Sequence, residues 1–481
     1  MWTVNEISEG FRGTIEGAFH TTESGVIGGF SIDSRTVRPS EVFVALRGPR
    51  FDGHDFIDPV FQRGASGAVV SRAAFQLRQK EWAPFYRHHF FILVEDPLEA
   101  LQSMAIWHRN RFRLPVVGVT GSNGKTTTKE MTASILNRRS PVLKNEGNFN
   151  NHIGLPLSVL RLKEEHGAAV LEMGISLKGE MNRLCEIARP TVGLITNVGP
   201  AHLEFLGDLA GVAKEKGMLF EAIQSGGTGV INRDDPYLQP WENRLSDRWT
   251  FGIDSPADLT ASDIAQKPAE TRFILHLNRK GGETAEITLA ILGRHQVYNA
   301  LAAAAAASAL GRSLSEIQEG LRQFRPVALR TEILKSRGAY ILLDAYNANP
   351  ASMKAALEML ASYQPEGSKA AALRKIALLG DMLELGGFAE AAHLEVGKCA
   401  AQRGVDLLIV VGAWAEVVAE GARREGMPAG AVFVHPDLES AQKFLQETMQ
   451  EGDCLLIKGS RGMKMERVLA GLGAEGTGLI K

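Results

Sequence analysis

Thr120-Gly-Ser-Asn-Gly-Lys-Thr-Thr-Thr128 follows the apolar run Val116-Val-Gly-Val-Thr120 and precedes a helix-like segment. A buried-type strand that breaks into glycines and resumes as a helix behind a lysine encodes a loop that wraps a polyphosphate. Gly121 and Gly124 let backbone N–H groups turn inward, and the helix N-terminus adds favourable partial charge. Lys125 can reach the β- and γ-phosphates, and the Thr126 hydroxyl is placed to ligate Mg²⁺. Gly121, Ser122, Asn123, Gly124, Lys125, Thr126 and Thr127 are therefore the candidate ATP-binding residues. The spacing departs from the generic G-x-x-x-x-G-K-[ST] pattern: Val119 stands where the first glycine belongs, with Gly118 one residue early. A Gly-rich turn with a capping threonine is the plain alternative, and the strand–loop–helix context disfavours it.

The rhythm of this stretch continues outward. Ala168-Ala-Val-Leu171 and Val192-Gly-Leu-Ile-Thr196 also precede helix-like segments, which indicates a mostly parallel sheet covered on both faces. Thr271–Leu277 and Glu286–Ile291 alternate and predict an antiparallel addition, followed by helices from about His295 and Ser315. Pro326 marks a boundary. Beyond it Tyr340–Asp344, Lys375–Leu379, Leu407–Val411, Ala431–Val434 and Cys454–Ile457 each lead into a helix-like segment, the pattern of a Rossmann-type domain. Before Asp96-Pro97, short β-type runs such as Glu41–Leu46 and Gly67–Val70 are separated by Gly/Pro/Asp turns and predict a small α/β module. The expectation is an α/β protein of three domains: 1–95, a central P-loop-type domain over 96–326, and a Rossmann-like domain over 327–481.

Composition agrees with this division. The 481 residues suffice for three domains at roughly 150 residues each. Lys and Arg number 53 against 55 Asp and Glu, a net charge of -2, which argues against a nucleic-acid partner held by a global basic field. The alanine-rich stretch Ala300–Leu310 is well short of the ~20 residues that cross a bilayer, so no membrane insertion is expected. Met1-Trp-Thr-Val-Asn-Glu lacks the basic start and apolar core of a signal peptide, and three scattered cysteines make neither a disulfide framework nor a zinc site. A cytoplasmic location is expected.

Further residues carry chemistry at strand ends. Glu172 follows the strand Ala168–Leu171 and His202 lies just past the strand Val192–Thr196. Together they could hold Mg²⁺, although that ion favours oxygen, and on the residues alone His202 reads as a loop histidine. Val212–Phe220 reads as a helix with a solvated Lys/Glu face. Asn299 offers a donor and an acceptor to an adenine edge, with His295 a weaker candidate. Arg330 has the planar fork that suits a phosphate, and Asp344 either accepts from ribose hydroxyls or caps the next helix.

The variant T-G-x-N-G-K-T resembles the Mur ligase family of ATP-dependent amide-forming enzymes, and the resemblance runs from about residue 30 to 465. It implies Glu172 and His202 as ligands of a second Mg²⁺, Asn299 at adenine, Arg330 at the γ-phosphate and Asp344 at ribose. It also implies an N-carbamylated lysine whose oxygens hold Mg²⁺, at Lys216 rather than Lys214. Lys144–Pro156, Leu171–Gly174, Asp344–Pro350 and Leu379–Gly386 resemble the members that add D-alanyl-D-alanine to UDP-N-acetylmuramoyl-tripeptide. Asn150 and Asn151, in the first of these stretches, are candidate substrate-binding residues. Ser34 and Arg35 lie in Ser31–Thr36, which resembles the segment meeting the uridine nucleotide, so residues 1–95 would bind that substrate. The implied catalytic set is Lys125, Lys216, His202 and Arg330, working through an acyl phosphate with ATP and Mg²⁺, in an expected monomer. A folylpolyglutamate-synthase-like ligase and an ATP-dependent switch protein are the alternatives.

Overall fold

The strand Val116–Thr120 lies inside a nine-stranded sheet, and every one of its residues is buried. In this computed structural model, residues 2–17, 27–279, 281–365, 373–473 and 475–476 are described. The sheet runs Glu283–Leu289, Glu270–Leu277, Leu259–Lys267, Arg248–Phe251, Thr228–Asn232, Val192–Ile195, Val116–Thr120, Ala168–Glu172, Val142–Lys144. Pairing is parallel except for the two antiparallel ladders that add Glu270–Leu277 and Glu283–Leu289. Val119 is level with Glu172 on one side and Leu194 on the other. The loop at Gly121, the Glu172 side chain and the turn at Thr196 therefore leave the sheet at one height, its carboxyl edge, where such sheets place ligands.

Helix Lys125–Leu136 packs against helix Arg294–Ala309, in which Ala300 to Ala307 are all buried. A helix buried all round needs small side chains if neighbours are to approach closely, so the alanine run is a packing device. The second helix predicted in this region is Leu314–Gln323, opened by a capping box between Ser313 and Glu316.

The first sheet is ordered Thr14–Gly17, Phe90–Val94, Gly67–Ser71, Glu41–Val44, Gly29–Ser31, antiparallel only at its first pair. One face is filled by aromatics, among them Phe43, Phe61, Trp82 and Phe91. The other face, with Val42, Val69 and Ile92, shares a core with Leu171, Ile195 and Trp241 of the central region. Helix Pro97–Arg109, capped by Asp96, joins the two by packing on Val4–Phe11 on one side and on Gly154–Val159 and Glu180–Ala188 on the other.

The third sheet runs Val432–His435, Leu407–Val411, Lys375–Leu379, Cys454–Lys458, Ala339–Leu343, Glu332–Ser336, Glu475–Gly476. The five predicted strands are mutually parallel, and the last two strands add antiparallel ladders that the sequence reading lacks. Strand order reverses between Lys375–Leu379 and Cys454–Lys458, which opens a crevice at their carboxyl ends. No helix among the described residues is long and apolar enough to cross a membrane.

Two glycines hold this third layer together. Helices Ala389–Gln402 and Ala415–Arg424 approach until a Cβ on Gly397 would meet the Val418 carbonyl, and one on Gly421 the Leu394 carbonyl. Backbone cannot yield as a flexible side chain does. Gly397→Ala is expected to destabilise the unit holding the third sheet by about 1–3 kcal/mol, as overpacking does. Urea denaturation followed by the fluorescence of Trp414, which abuts that helix pair, measures it.

Candidate active site

The loop after Val116–Thr120 is shaped by its two positive-φ glycines. Gly121 has φ 148° and Gly124 φ 81°, backbone that L side chains rarely adopt. A Cβ on Gly121 would strike the Thr196 hydroxyl, and one on Gly124 the Asn299 amide. Val119 is strand rather than loop, which explains why the usual first glycine is not needed there. The neighbouring turn clamps the loop: Ser122 donates through Oγ to the Gly199 carbonyl at 2.9 Å, and the Asn123 N–H donates to Asn197 Oδ1 at 2.9 Å. Thr127 is buried in the first turn of the helix. Lys125 folds back so that Nζ donates to the Gly121 carbonyl at 2.8 Å. Burial lowers its pKa, Glu172 pulls it back up, and Arg330 adds to the lowering.

Glu172 is the centre of the cluster. Only 3% exposed, it accepts from the Thr126 hydroxyl at 2.8 Å and from Asn150 Nδ2 at 2.8 Å. Asn145 grips its backbone from both sides, accepting from the Glu172 N–H at 2.9 Å and donating to its carbonyl at 2.8 Å. From the third layer Arg330 reaches across and donates through Nη2 to Thr126 Oγ1 at 2.9 Å. Its guanidinium lies 3.9 Å from the centre of the Tyr346 ring, and its Nε is buried without a partner among the described residues. Leu329 and Thr331 on either side both have positive φ, 63° and 57°, a strained turn that aims the arginine.

Lys216 is 1% exposed, whereas Lys214 two residues earlier is exposed. Burial, with Lys125 nearby, holds the Lys216 pKa well below the ordinary lysine value. Glu215 between them is also buried and accepts from the Gly179 and Met181 N–H groups at 2.9 and 3.1 Å, capping helix Glu180–Ala188. His202 sits in the left-handed region at φ 54° and meets Glu384 of the third layer, Nδ1 to Oε2 2.7 Å. That contact lowers the Glu384 pKa. Among the described residues no three His, Cys, Asp or Glu side chains converge as a metal cluster.

Beside the loop lies a cavity of about 360 Å³, lined among others by Asn123, Asp235, Tyr237, His295, Tyr298 and Asn299. Asn299 Nδ2 donates to Gln296 at 2.8 Å, so its amide is oriented from behind. Burial lowers the His295 pKa, and Asp344 opposes that shift across the layers. Asp344 itself is held by Lys458, Nζ to Oδ2 2.5 Å, with the same ammonium donating to the Asn347 carbonyl at 3.0 Å. Asn349 caps helix Pro350–Ser362 and donates to Asn123 Oδ1 at 2.7 Å, a third bond between the layers.

These features fit a nucleoside triphosphate: a glycine cradle that admits no Cβ, a lysine at its mouth and a polar cavity alongside. Oxygen donors at Thr126 and Glu172 suit Mg²⁺, a hard ion. The candidates assigned to substrate have other partners here. Asn150 sits on Glu172, Asn151 Oδ1 accepts from the Ile153 and Gly154 N–H groups, and Arg35 forks back onto Asp33 at 2.7–2.9 Å. Ser34 lies half-buried in the same turn. Asn145, Asn197, Glu384 and Lys458 are the residues that sequence reasoning missed as individuals.

Comparison with known proteins bears on this site directly. Residues 119–307 match the Mur ligase middle domain, 329–461 the Mur ligase glutamate ligase domain and 26–108 the Mur ligase family catalytic domain. The UDP-N-acetylmuramoyl-tripeptide–D-alanyl-D-alanine ligase of Bacillus subtilis (strain 168) is 36% identical over 472 residues, 98% of each chain. The crystal structure of MurF from Acinetobacter baumannii superposes with a TM-score of 0.84 at 30% identity, covering 98% of both chains. That of MurF ligase from Thermotoga maritima in complex with ADP gives 0.79 at 30% identity, over 92% of this chain and 96% of that one. Three matched segments in order, and relatives alike along nearly the whole length, make this chain a member of the Mur ligase family.

Proposed function

We propose that the chain is an ATP-dependent ligase that joins D-alanyl-D-alanine to the terminal carboxylate of UDP-N-acetylmuramoyl-tripeptide, a step of peptidoglycan synthesis. The observation that carries this reading is the meeting of Thr126, Glu172 and Arg330 from two sheets beside a glycine cradle. It stands in a chain 36% identical to the Bacillus subtilis enzyme of that activity. In this reading residues 1–95 receive the uridine nucleotide, with Ser34, Arg35, Asn150 and Asn151 as candidate substrate contacts. Residues 96–326 hold ATP through Gly121 to Thr127 and Asn299, and residues 327–481 close over it with Arg330 and Asp344. The enzyme works as a cytoplasmic monomer.

A carboxylate acylates poorly because its leaving group would be oxide. One carboxylate oxygen of the tripeptide therefore attacks the γ-phosphorus and ADP departs, leaving an acyl phosphate. The amine of D-alanyl-D-alanine then attacks the carbonyl carbon, phosphate leaves, and the amine gives up a proton. Lys125 and Arg330 neutralise charge that grows on the transferred phosphoryl oxygens, and fixed cations in a water-poor cleft do so without reorganising. Thr126, Glu172, His202 and Lys216 as its carbamate are the residues that would hold Mg²⁺, which when bound supplies further charge neutralisation. Lys216 is suited to its part because a carbamate forms from the neutral amine. Burial lowers its pKa, so more of it is neutral at a given pH than of an exposed lysine.

Mass spectrometry of the UDP-linked product tests the reading, with ATP, D-alanyl-D-alanine and tripeptides ending in diaminopimelate or lysine. One of the two is expected to gain the dipeptide, with ADP formed only when both substrates are present. ADP formation with neither would make the chain a switch.

Lys125→Ala is expected to cut ligation on the order of 10²–10³-fold, the usual cost of one preorganised charge donor. Steady-state ADP release on a folded variant reads it. Lys216→Ala is expected to lose activity severely and to regain part of it with acetate or formate, which return carboxylate oxygens to the gap. Lys214→Ala is expected to lose little, since it points to solvent. Raising bicarbonate should increase wild-type activity and leave Lys216→Ala unchanged.

A further inference from the structure

One contact between the layers is made by two residues that both adopt unfavourable backbone. His202 at φ 54° and Glu384 at φ 62° are non-glycine residues in the left-handed region. Such geometry persists where surrounding structure demands it. What it produces here is a hydrogen bond of 2.7 Å between His202 Nδ1 and Glu384 Oε2. The two loops are also packed: a Cβ on Gly386 would stand 3.2 Å from the Glu204 Cα. Asp381, in the same loop as Glu384, is instead turned inward and accepts from the Ala413 and Trp414 N–H groups at 2.8 and 3.0 Å. Glu384 is thus the carboxylate of this loop that reaches the central layer.

An imidazole that binds a metal through one nitrogen usually donates its other N–H to a carboxylate, which fixes the tautomer and raises the ligand's basicity. We propose that Glu384 is a positioning residue for the metal site: from the third layer it accepts the Nδ1 proton of His202 and so keeps the Nε2 lone pair free for the ion. The inference rests on reading His202 as a metal ligand. It adds that the ligand is completed only when residues 327–481 are docked, so metal affinity reports the position of that layer.

The experiment uses the full chain in four forms: wild type, Glu384→Ala, His202→Gln and, as a control, Glu390→Gln. The control removes one negative charge from the exposed start of the next helix, at a residue with no bond to His202 among the described residues. Two quantities are measured. Mn²⁺ binding, followed by the EPR signal of the free ion, is expected to weaken about 10–100-fold in Glu384→Ala, the usual cost of losing such a partner. Nitrogen-15 spectra of histidine-labelled protein are expected to give His202 as the Nδ1–H tautomer in wild type and in the control, and to lose that preference in Glu384→Ala. Unchanged Mn²⁺ affinity in Glu384→Ala, with affinity reduced in His202→Gln, overturns the proposal. Unchanged affinity in His202→Gln overturns instead the reading of His202 as a ligand. An equal loss in Glu390→Gln would reduce the effect to general charge and also overturn the proposal.

Discussion

A buried carboxylate must be given hydrogen-bond donors or it will take up a proton. Glu172 is such a group, and much of the site follows from holding it in place. Its backbone is held by Asn145, and its two oxygens by Asn150 and Thr126. Asn145 is itself tied down, since the ammonium of the buried Lys129 donates to its carbonyl at 2.6 Å. The helix that carries Thr126 and Lys129 is fixed from behind by the alanine-rich helix, which packs closely because its side chains are small. That closeness brings Asn299 beneath Gly124 and leaves no room for a Cβ there. The glycine loop, the Thr126–Glu172 pair and the Asn299 amide thus form one packed unit rather than three separate clusters.

What could be read beforehand was what lies close together along the chain. The phosphate loop is contiguous, so strand, glycines, lysine and threonines announce one another, and the predicted strands around it recur in the sheets. Lys216 against Lys214 is different: helix periodicity offers both, the family resemblance chose Lys216, and burial sets the two apart in the structure. Asn145, Glu384 and Lys458 were out of reach for another reason. Each acts on a partner between 27 and 182 residues away, and an asparagine, glutamate or lysine has no spacing that betrays such a contact. The Asn150 amide lies in a telling stretch, but its bond to Glu172 could not be read from that stretch. Strand Glu332–Ser336 was missed although it pairs with the next strand through a two-residue turn, and the positive-φ turn before it aims Arg330.

Electrostatics supports the same division of labour. The net charge of -2 gives the surface no strong field, yet the cleft gathers Lys125, Lys216 and Arg330 within range of one another. Their mutual repulsion raises the cost of the empty site, and polyphosphate is the kind of ligand that relieves it. A lysine turned neutral, as burial inclines Lys216 to be, is one way to lower that repulsion beforehand.

The bonds that tie the third layer to the central one also bear on timing. Arg330 to Thr126, Asn349 to Asn123 and His202 to Glu384 all form between the protein's own groups. At about 0.5–1.5 kcal/mol net for each hydrogen bond, the three contribute about 1.5–4.5 kcal/mol to holding the layers together. Passage of a nucleotide past them requires these bonds to part, on the way in and again on the way out. Entry and escape are throttled by the same factor, so the bonds change residence time without changing affinity, and a reactive acyl phosphate is retained long enough to meet its amine.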